Sequence, residues 1–231
     1  MLVLIKFRIR GNLRFLSHIE TVKVFQRACA RAGVKVRHSQ GFNPRPKLSL
    51  ALPRSVGVES DDDLLSLRVE TPVPQTRSNA FGGSSPDGGD SQSEIFDAEA
   101  FKAELSGQLP DGLELLAVDV SETKTPPQPE GATYVLSIRP EYLNDDLKSN
   151  IKCLLESEEL YLQRQIDAKG NTRNLDVRGF LKSIELDDKG VIVECKISSA
   201  GSIRVDEILK LLQLDVDKLA APVRRTRVQW Q

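Results

Sequence analysis

The sequence is poor in the residues that build redox, metal and nucleotide chemistry. Its three cysteines, Cys29, Cys153 and Cys195, stand alone and far apart, so no CxxxCxxC or CxxC run exists to hold a zinc ion or an iron–sulfur cluster. An odd number of scattered thiols suits a reducing cytosol and buried, unbridged side chains. The two histidines, His18 and His38, have no companion carboxylate motif and make a weak metal pair. Neither GxxxxGK nor GxGxxG occurs, which removes the usual phosphate-cradling loops. Apolar runs are short, and the opening MLVLIKFRIRG alternates too strongly and is too short for a signal peptide. The expectation is a cytoplasmic protein with no membrane span, no metal and no cofactor of its own.

What is present is a core-forming composition with an uneven charge. Apolar residues make up 39% and charged residues 28% of the 231, as in a globular protein with a sizeable core. The net charge of −1 hides a division: residues 1–54 hold twelve Lys and Arg against one acid, and the rest is correspondingly acidic. A basic N-terminal quarter points to a polyanionic partner.

Most of that charge falls within 14–47. Ser17 followed by Glu20 forms a capping-box pattern, and Ile19, Val22, Phe25, Cys29 and Ala32 recur at helical spacing. Gly33 stands where a left-handed cap is wanted, so the spacing predicts a helix over 18–32. Lys23, Arg27 and Arg31 then stack at i, i+4, i+8 with only Glu20 to offset them. Such a row is mildly self-repelling in isolation, and an anion reverses the sign of the effect. An ordinary solvated face is the plainer reading.

The loop HSQGFNPRPK, residues 38–47, follows. Gly41 permits a positive φ, and Pro44 and Pro46 stiffen their neighbours into extended geometry. His38, Ser39, Gln40, Asn43, Arg45 and Lys47 are thereby presented around Phe42. Amides, cations and a ring are the groups that contact phosphates and stack on bases. For Phe42 alone, the plainer expectation is a ring tucked into the core.

His18 is the one catalytic candidate. At the first turn of a helix, beside Ser17 and Arg14, a neutral imidazole can act as a general base on an RNA 2′-hydroxyl. Ser17 is already occupied as the cap, and no acid but Glu20 is near to orient the ring, so a Ser-His-Asp system is poorly supported.

Alternation and turn residues predict strands at 2–10 (Leu2 and Leu4 inward, with Phe7 and Ile9), 47–52, 64–70 and 113–120, with a second helix at 95–109. Asp61, Asp62 and Asp63 are expected in a turn, and 71–93 reads as a flexible Gly/Ser/Asp-rich insertion. After the spacer KTPPQPEG come a strand at 133–139, a helix at 141–156, strands at 160–166, 172–177, 180–187 and 190–198, a helix at 205–212 and a strand at 223–230. The result is an α+β fold of two ferredoxin-like (βαββαβ) domains in tandem, the second with an extra strand. The domains are 1–122 and 132–231, with a linker at 123–131. Arg224, Arg225 and Arg227 in the tail read as the solvent side of an edge strand, with extension of the basic surface as the alternative.

The run RFLSH, the basic helix, AGV, HSQGFNPRPKLSLALP and GVES resembles a prokaryotic domain family of unknown function. Its members are encoded beside, or fused to, cobalamin-binding radical SAM proteins. The resemblance is strongest over 5–70, and RNLDVRGFL (173–181) and GSIRVDEIL (201–209) extend it. This chain has Val205 where the family commonly has proline. The resemblance implies a radical SAM partner and no agreed activity. Three functions stay open: an RNA-binding or substrate-presenting accessory in RNA modification or processing, a metal-independent RNA-processing enzyme using His18, and a protein–protein adaptor docking the radical SAM partner. The anion-binding set for the first comprises Arg14, Ser17, His18, Lys23, Arg27, Arg31 and the 38–47 loop residues.

Overall fold

A computed structural model describes residues 1–70, 96–165 and 170–231. The insertion expected at 71–93, the start of the helix expected at 95 and part of the turn at 169–171 lie outside the described residues.

The chain enters on β1 (Leu2–Ile9), in which Val3, Ile5, Phe7 and Ile9 are completely buried. Phe7 and Ile9 lie inward as expected and Leu2 is buried too, whereas Leu4 is only partly buried and Val3 and Ile5 take the core face instead. Phe7 fixes it by packing edge-on against Phe25 of α1 (His18–Arg31), ring centroids 4.8 Å apart. The capping box at the start of α1 is formed. The Glu20 N–H donates to Ser17 Oγ at 3.3 Å, and the Glu20 carboxylate accepts from the Ser17 N–H at 2.9 Å and hydroxyl at 2.7 Å. Those bonds hold the Glu20 carboxyl below its usual pKa. Gly33 closes the helix with φ +68. Ser17→Ala is expected to lower stability by about 1 kcal/mol, readable as a denaturation midpoint, because the hydroxyl that caps the Glu20 N–H and donates to its carboxylate is lost while the backbone N–H bond to Glu20 stays.

The cap also sets the rotation of α1. Thr21, Phe25, Ala28 and Cys29 face the core, and Ile19, expected inside, is 64% exposed. The first half continues with β2 (Leu48–Leu50), β3 (Glu59–Arg68), α2 (Ala98–Ser106) and β4 (Leu113–Ser121). β1 pairs antiparallel with both β3 and β4, and β2 pairs antiparallel with β3, giving the order β4-β1-β3-β2.

The second half is built from β5 (Pro129–Ser137), α3 (Asp145–Glu156), β6 (Tyr161–Gln165), β7 (Thr172–Asp176), β8 (Leu181–Leu186), β9 (Gly190–Lys196), α4 (Val205–Leu211) and β10 (Arg224–Trp230). Its main strands are antiparallel in the order β10-β5-β9-β8, the same relative order as in the first half. The expected extra strand is in fact a hairpin, β6 with β7, standing off the main sheet as a two-stranded sheet. Arg164 of this hairpin binds the nearly buried Glu207 of α4 through two 2.6 Å hydrogen bonds, which ties the hairpin down.

The two halves share one sheet. β10 pairs in parallel with β3, Arg224 opposite Glu59 and Arg225 opposite Ser60, so among the described residues eight mostly antiparallel strands in one sheet and four α-helices make an α+β fold. β10 is therefore an interior strand, not an edge. Asp61, Asp62 and Asp63, expected in a turn, lie inside β3 and receive cations from elsewhere in the fold. Asp61 takes Arg10 at 2.7 Å and Arg224 at 3.4 Å. Asp62 accepts the Val228 N–H at 2.9 Å and lies 3.7 Å from Lys6.

Asp63 holds the centre of the seam. It accepts from Arg225 and, at 2.6 Å, from Ser60, while Arg54 Nε lies 3.9 Å away. Arg225 is 1% exposed, and neither sequence reading of the tail survives for it. Burial works against its charge, and the Asp63 carboxylate more than restores it, so the guanidinium pKa is raised. Elsewhere, burial pushes the Cys29 thiol up to about 11 and the Cys195 thiol to about 12, whereas Cys153 is exposed, against expectation.

Candidate nucleic-acid interface

The structure sorts the twelve N-terminal cations into two groups. Lys6, Arg8 and Arg10 on or next to β1 are neutralised by Asp62, Glu114 and Asp61. Arg54 is spent on the seam, where it also donates to the carbonyls of Arg14 at 2.7 Å and Leu16 at 3.2 Å. Arg14 donates to its neighbour Gly11 O at 2.8 Å and lies over the Phe15 ring. Arg31 donates to the Gln108 side chain and carbonyl just beyond α2, so it braces two helices together. Among the described residues, the side chains of Lys23, Arg27, Lys35, Arg37, Arg45 and Lys47 make no hydrogen bond or ion pair, and all six are exposed.

Those six lie on the outer face of α1 and on the segment after it. That segment is a hairpin. Val36 bridges Val69, and Arg37 and Lys47 share backbone bonds with each other and with Arg68. His38 bridges Pro46, the Ser39 N–H donates to the Arg45 carbonyl at 2.8 Å, and the Arg45 N–H returns to Ser39 Oγ at 2.9 Å. With the stem closed, Gln40, Gly41, Phe42, Asn43 and Pro44 form a protruding tip, and Gly41 turns it with φ +148 in open space. Phe42 is fully exposed. The expected burial of this ring fails because the stem closes outward, away from the core cluster that receives Val34 and Val36.

The sequence-predicted residues do not form one constellation. The Arg14, Ser17 and His18 end of α1 is tied to the start of β3, through Gly11 N–H to Glu59 and Gly57 N–H to the Arg14 carbonyl. The hairpin rises at the opposite end of β3, beside Arg68 and Val69. Fourteen helical residues separate the ends of α1, about 21 Å at 1.5 Å per residue. Lys23 and Arg27 lie between. His18 is half-buried, and its Nδ1 is enclosed with no hydrogen-bond partner. The hydrogen bonds of the Glu20 carboxylate all go to Ser17, so it does not orient the imidazole. Among the described residues no cluster of three or more His, Cys, Asp or Glu has metal-holding geometry, and no helix is long and apolar enough to cross a membrane.

A second concave surface lies at the seam, near Arg14. A groove of about 690 Å³ is lined by Phe15, Val56, Leu209, Val216 and Pro222. Phe15, Val56 and Val216 are 54%, 60% and 72% exposed, an unusual density of large apolar side chains in water. Sequence reading missed this groove, since it combines residues about 200 positions apart.

A family model described as an uncharacterized protein conserved in bacteria (DUF2344) matches residues 3–88 and 89–210. The chain belongs to that family. No curated protein matches it. Membership in DUF2344 brings no activity with it, so the chemistry of the surface carries the functional reading.

Proposed function

We propose that the protein is an RNA-binding, substrate-presenting accessory that works with a radical SAM enzyme in RNA modification or processing, and that the 37–47 hairpin is its contact element. The observation that carries this reading is Phe42, a fully exposed ring on a closed hairpin. A solvent-facing phenylalanine contributes little to the fold. It stacks well on an unpaired base, which is how single-stranded RNA is commonly held. Arg37, Arg45 and Lys47 in the hairpin, with Lys23 and Arg27 along α1, supply charge for phosphates. The radical SAM partner rests on the resemblance of 5–70 alone. The repeated strand order favours two tandem ferredoxin-like domains, 1–122 and 132–231, fused along β3 and β10.

Phe42→Ala is expected to weaken binding of an unpaired RNA by roughly 5–150-fold, the scale of one lost base–aromatic stack, with an unchanged melting temperature. Arg45→Ala should weaken all RNAs alike. Asn43→Ala should weaken the natural substrate more than a scrambled strand, since a carboxamide can pair with a base edge. Fluorescence anisotropy on the purified variants measures all three. Unchanged affinity in Phe42→Ala removes the hairpin from the account.

The adaptor reading has its own observation, the apolar groove at the seam. A protein surface seated there would cover Phe15, Val56 and Val216. Val216→Asp then releases the partner enzyme in co-purification and leaves RNA affinity intact; loss of RNA affinity with retained partner would refute that division.

A further inference from the structure

One edge of β3 serves two strands. β10 occupies its start, opposite Glu59 and Ser60, and β2 occupies its far part, opposite Leu65, Ser66 and Leu67. Between these pairings β2 and β10 part, and a cleft of about 1040 Å³ opens at the fork. One wall is residues 51–53, leading off β2. The other is the end of β10 with the adjoining ends of β5, β8 and β9 and the turn at 198–202.

The chemistry of the cleft differs from that of the hairpin. Its polar side chains are mostly neutral, Gln229, Gln231, Ser198 and Ser202 among them; of its charged ones, Lys182 is paired with Glu194 at 3.2 Å, while Lys196 and Glu130 make no ion pair among the described residues. The Gln229 and Gln231 carboxamides make no hydrogen bond to any described residue. Gly131 makes room for one of them, since a Cβ there would come within 2.9 Å of Gln229 Oε1. Carboxamides and hydroxyls both donate and accept, which matches base edges and 2′-hydroxyls; the unpaired Lys196 ammonium matches a phosphate.

Position links the two surfaces. The hairpin runs straight into β2, and from Lys47 to Ala51 is four residues, about 13 Å of extended chain. At a stacked spacing of about 3.4 Å, roughly four nucleotides cover that distance. We propose that the cleft receives the continuation of the same unpaired RNA strand whose leading base stacks on Phe42. A base lies against Gln229 and Gln231, and a flanking phosphate lies at Lys196. This deepens the RNA-binding reading and rests on it. The substrate class becomes an unpaired segment of about eight nucleotides, long enough to reach both surfaces.

The test is binding of 5′-labelled oligouridylates and oligoadenylates of four, eight and twelve nucleotides to the full chain at low salt. The wild-type protein should gain at least about tenfold in affinity between four and eight nucleotides, the scale of one additional held base, and little beyond. The triple variant Gln229→Ala, Gln231→Ala, Lys196→Gln touches exposed positions and should keep its melting temperature and its four-nucleotide affinity. It should lose the gain at eight. Phe42→Ala should weaken every length. A triple variant that keeps the full gain, or a wild-type protein indifferent to length, overturns the cleft proposal while the hairpin reading stands on its Phe42 dependence. Absence of binding at every length refutes the hairpin reading and the cleft with it. Capture of a protein but no RNA by the cleft variants' wild-type parent assigns the cleft to a polypeptide and likewise overturns the proposal.

Discussion

Replacing Asp63 with leucine is expected to destabilise the protein by about 3–5 kcal/mol, the usual penalty for stranding a buried charge. At roughly 2–4 °C per kcal/mol for a chain of this size, the melting temperature should fall by roughly 6–20 °C. Among the described residues Asp63 is the only acid bonded to Arg225, and Arg54 Nε is 3.9 Å away, so its loss strands two enclosed guanidiniums. The reverse deletion, Arg225→Met, should be milder. Arg54 then remains to offset the Asp63 charge, and methionine fills much of the vacated space without a polar group to satisfy. The order of the two variants is the discriminating feature. Equal melting temperatures for Asp63→Leu and the wild type, by calorimetry, would mean that the pair does not hold β10 to β3.

The second large effect is on binding. Six cations, Lys23, Arg27, Lys35, Arg37, Arg45 and Lys47, are exposed without hydrogen bond or ion pair among the described residues. If each neutralises one phosphate of an unpaired strand, the slope of log affinity against log salt should be about −4, at 0.7 per contact. Affinity then drops by about two to three orders of magnitude between roughly 50 and 200 mM salt. Lys23→Gln with Arg27→Gln should flatten the slope to about −3. Lys6→Gln is the control, since its charge is already met by Asp62. A slope near zero in the wild type means that the basic surface serves something other than a polyanion.

The order of strands and helices was legible because each element writes its own period. Alternation at 133–139 and three-four spacing at 18–32 are local signals, and β5 and α1 lie where those signals are. The capping box and the Gly33 turn were legible for the same reason. What pairs with what was not. β10 meets β3 across more than 160 residues, and nothing in RRTRVQW announces a partner in ESDDDLLSLR. Charges on a strand read as solvent-facing, which is correct for most strands and wrong where opposite signs from two halves meet in a shared sheet.

The candidate site divides along the same line. Gly41 predicts a turn in the loop, and the hairpin tip turns there with a positive φ. Composition does not say which way the stem closes, so the ordinary preference of a ring for a core predicts Phe42 inward. The free cationic row on the helix is also one residue shorter than its spacing predicts. Arg31 has the right spacing, yet Gln108 at the end of α2 takes its guanidinium, a contact that spans 77 residues. His18 and the hairpin are neighbours in sequence and are held at opposite ends of α1 by the strand register, which no local pattern encodes.

The central claim, that an unpaired RNA lies on the hairpin, is tested most directly by ultraviolet crosslinking of RNA to the protein in cells, followed by mass spectrometry of the crosslinked peptides. Zero-length crosslinks form where a base touches a side chain, and stacked aromatic rings are favoured positions. The account predicts RNA-bearing peptides centred on Phe42, lost in Phe42→Ala. Crosslinks confined to peptides away from 37–47, or a protein that carries no RNA, would contradict it.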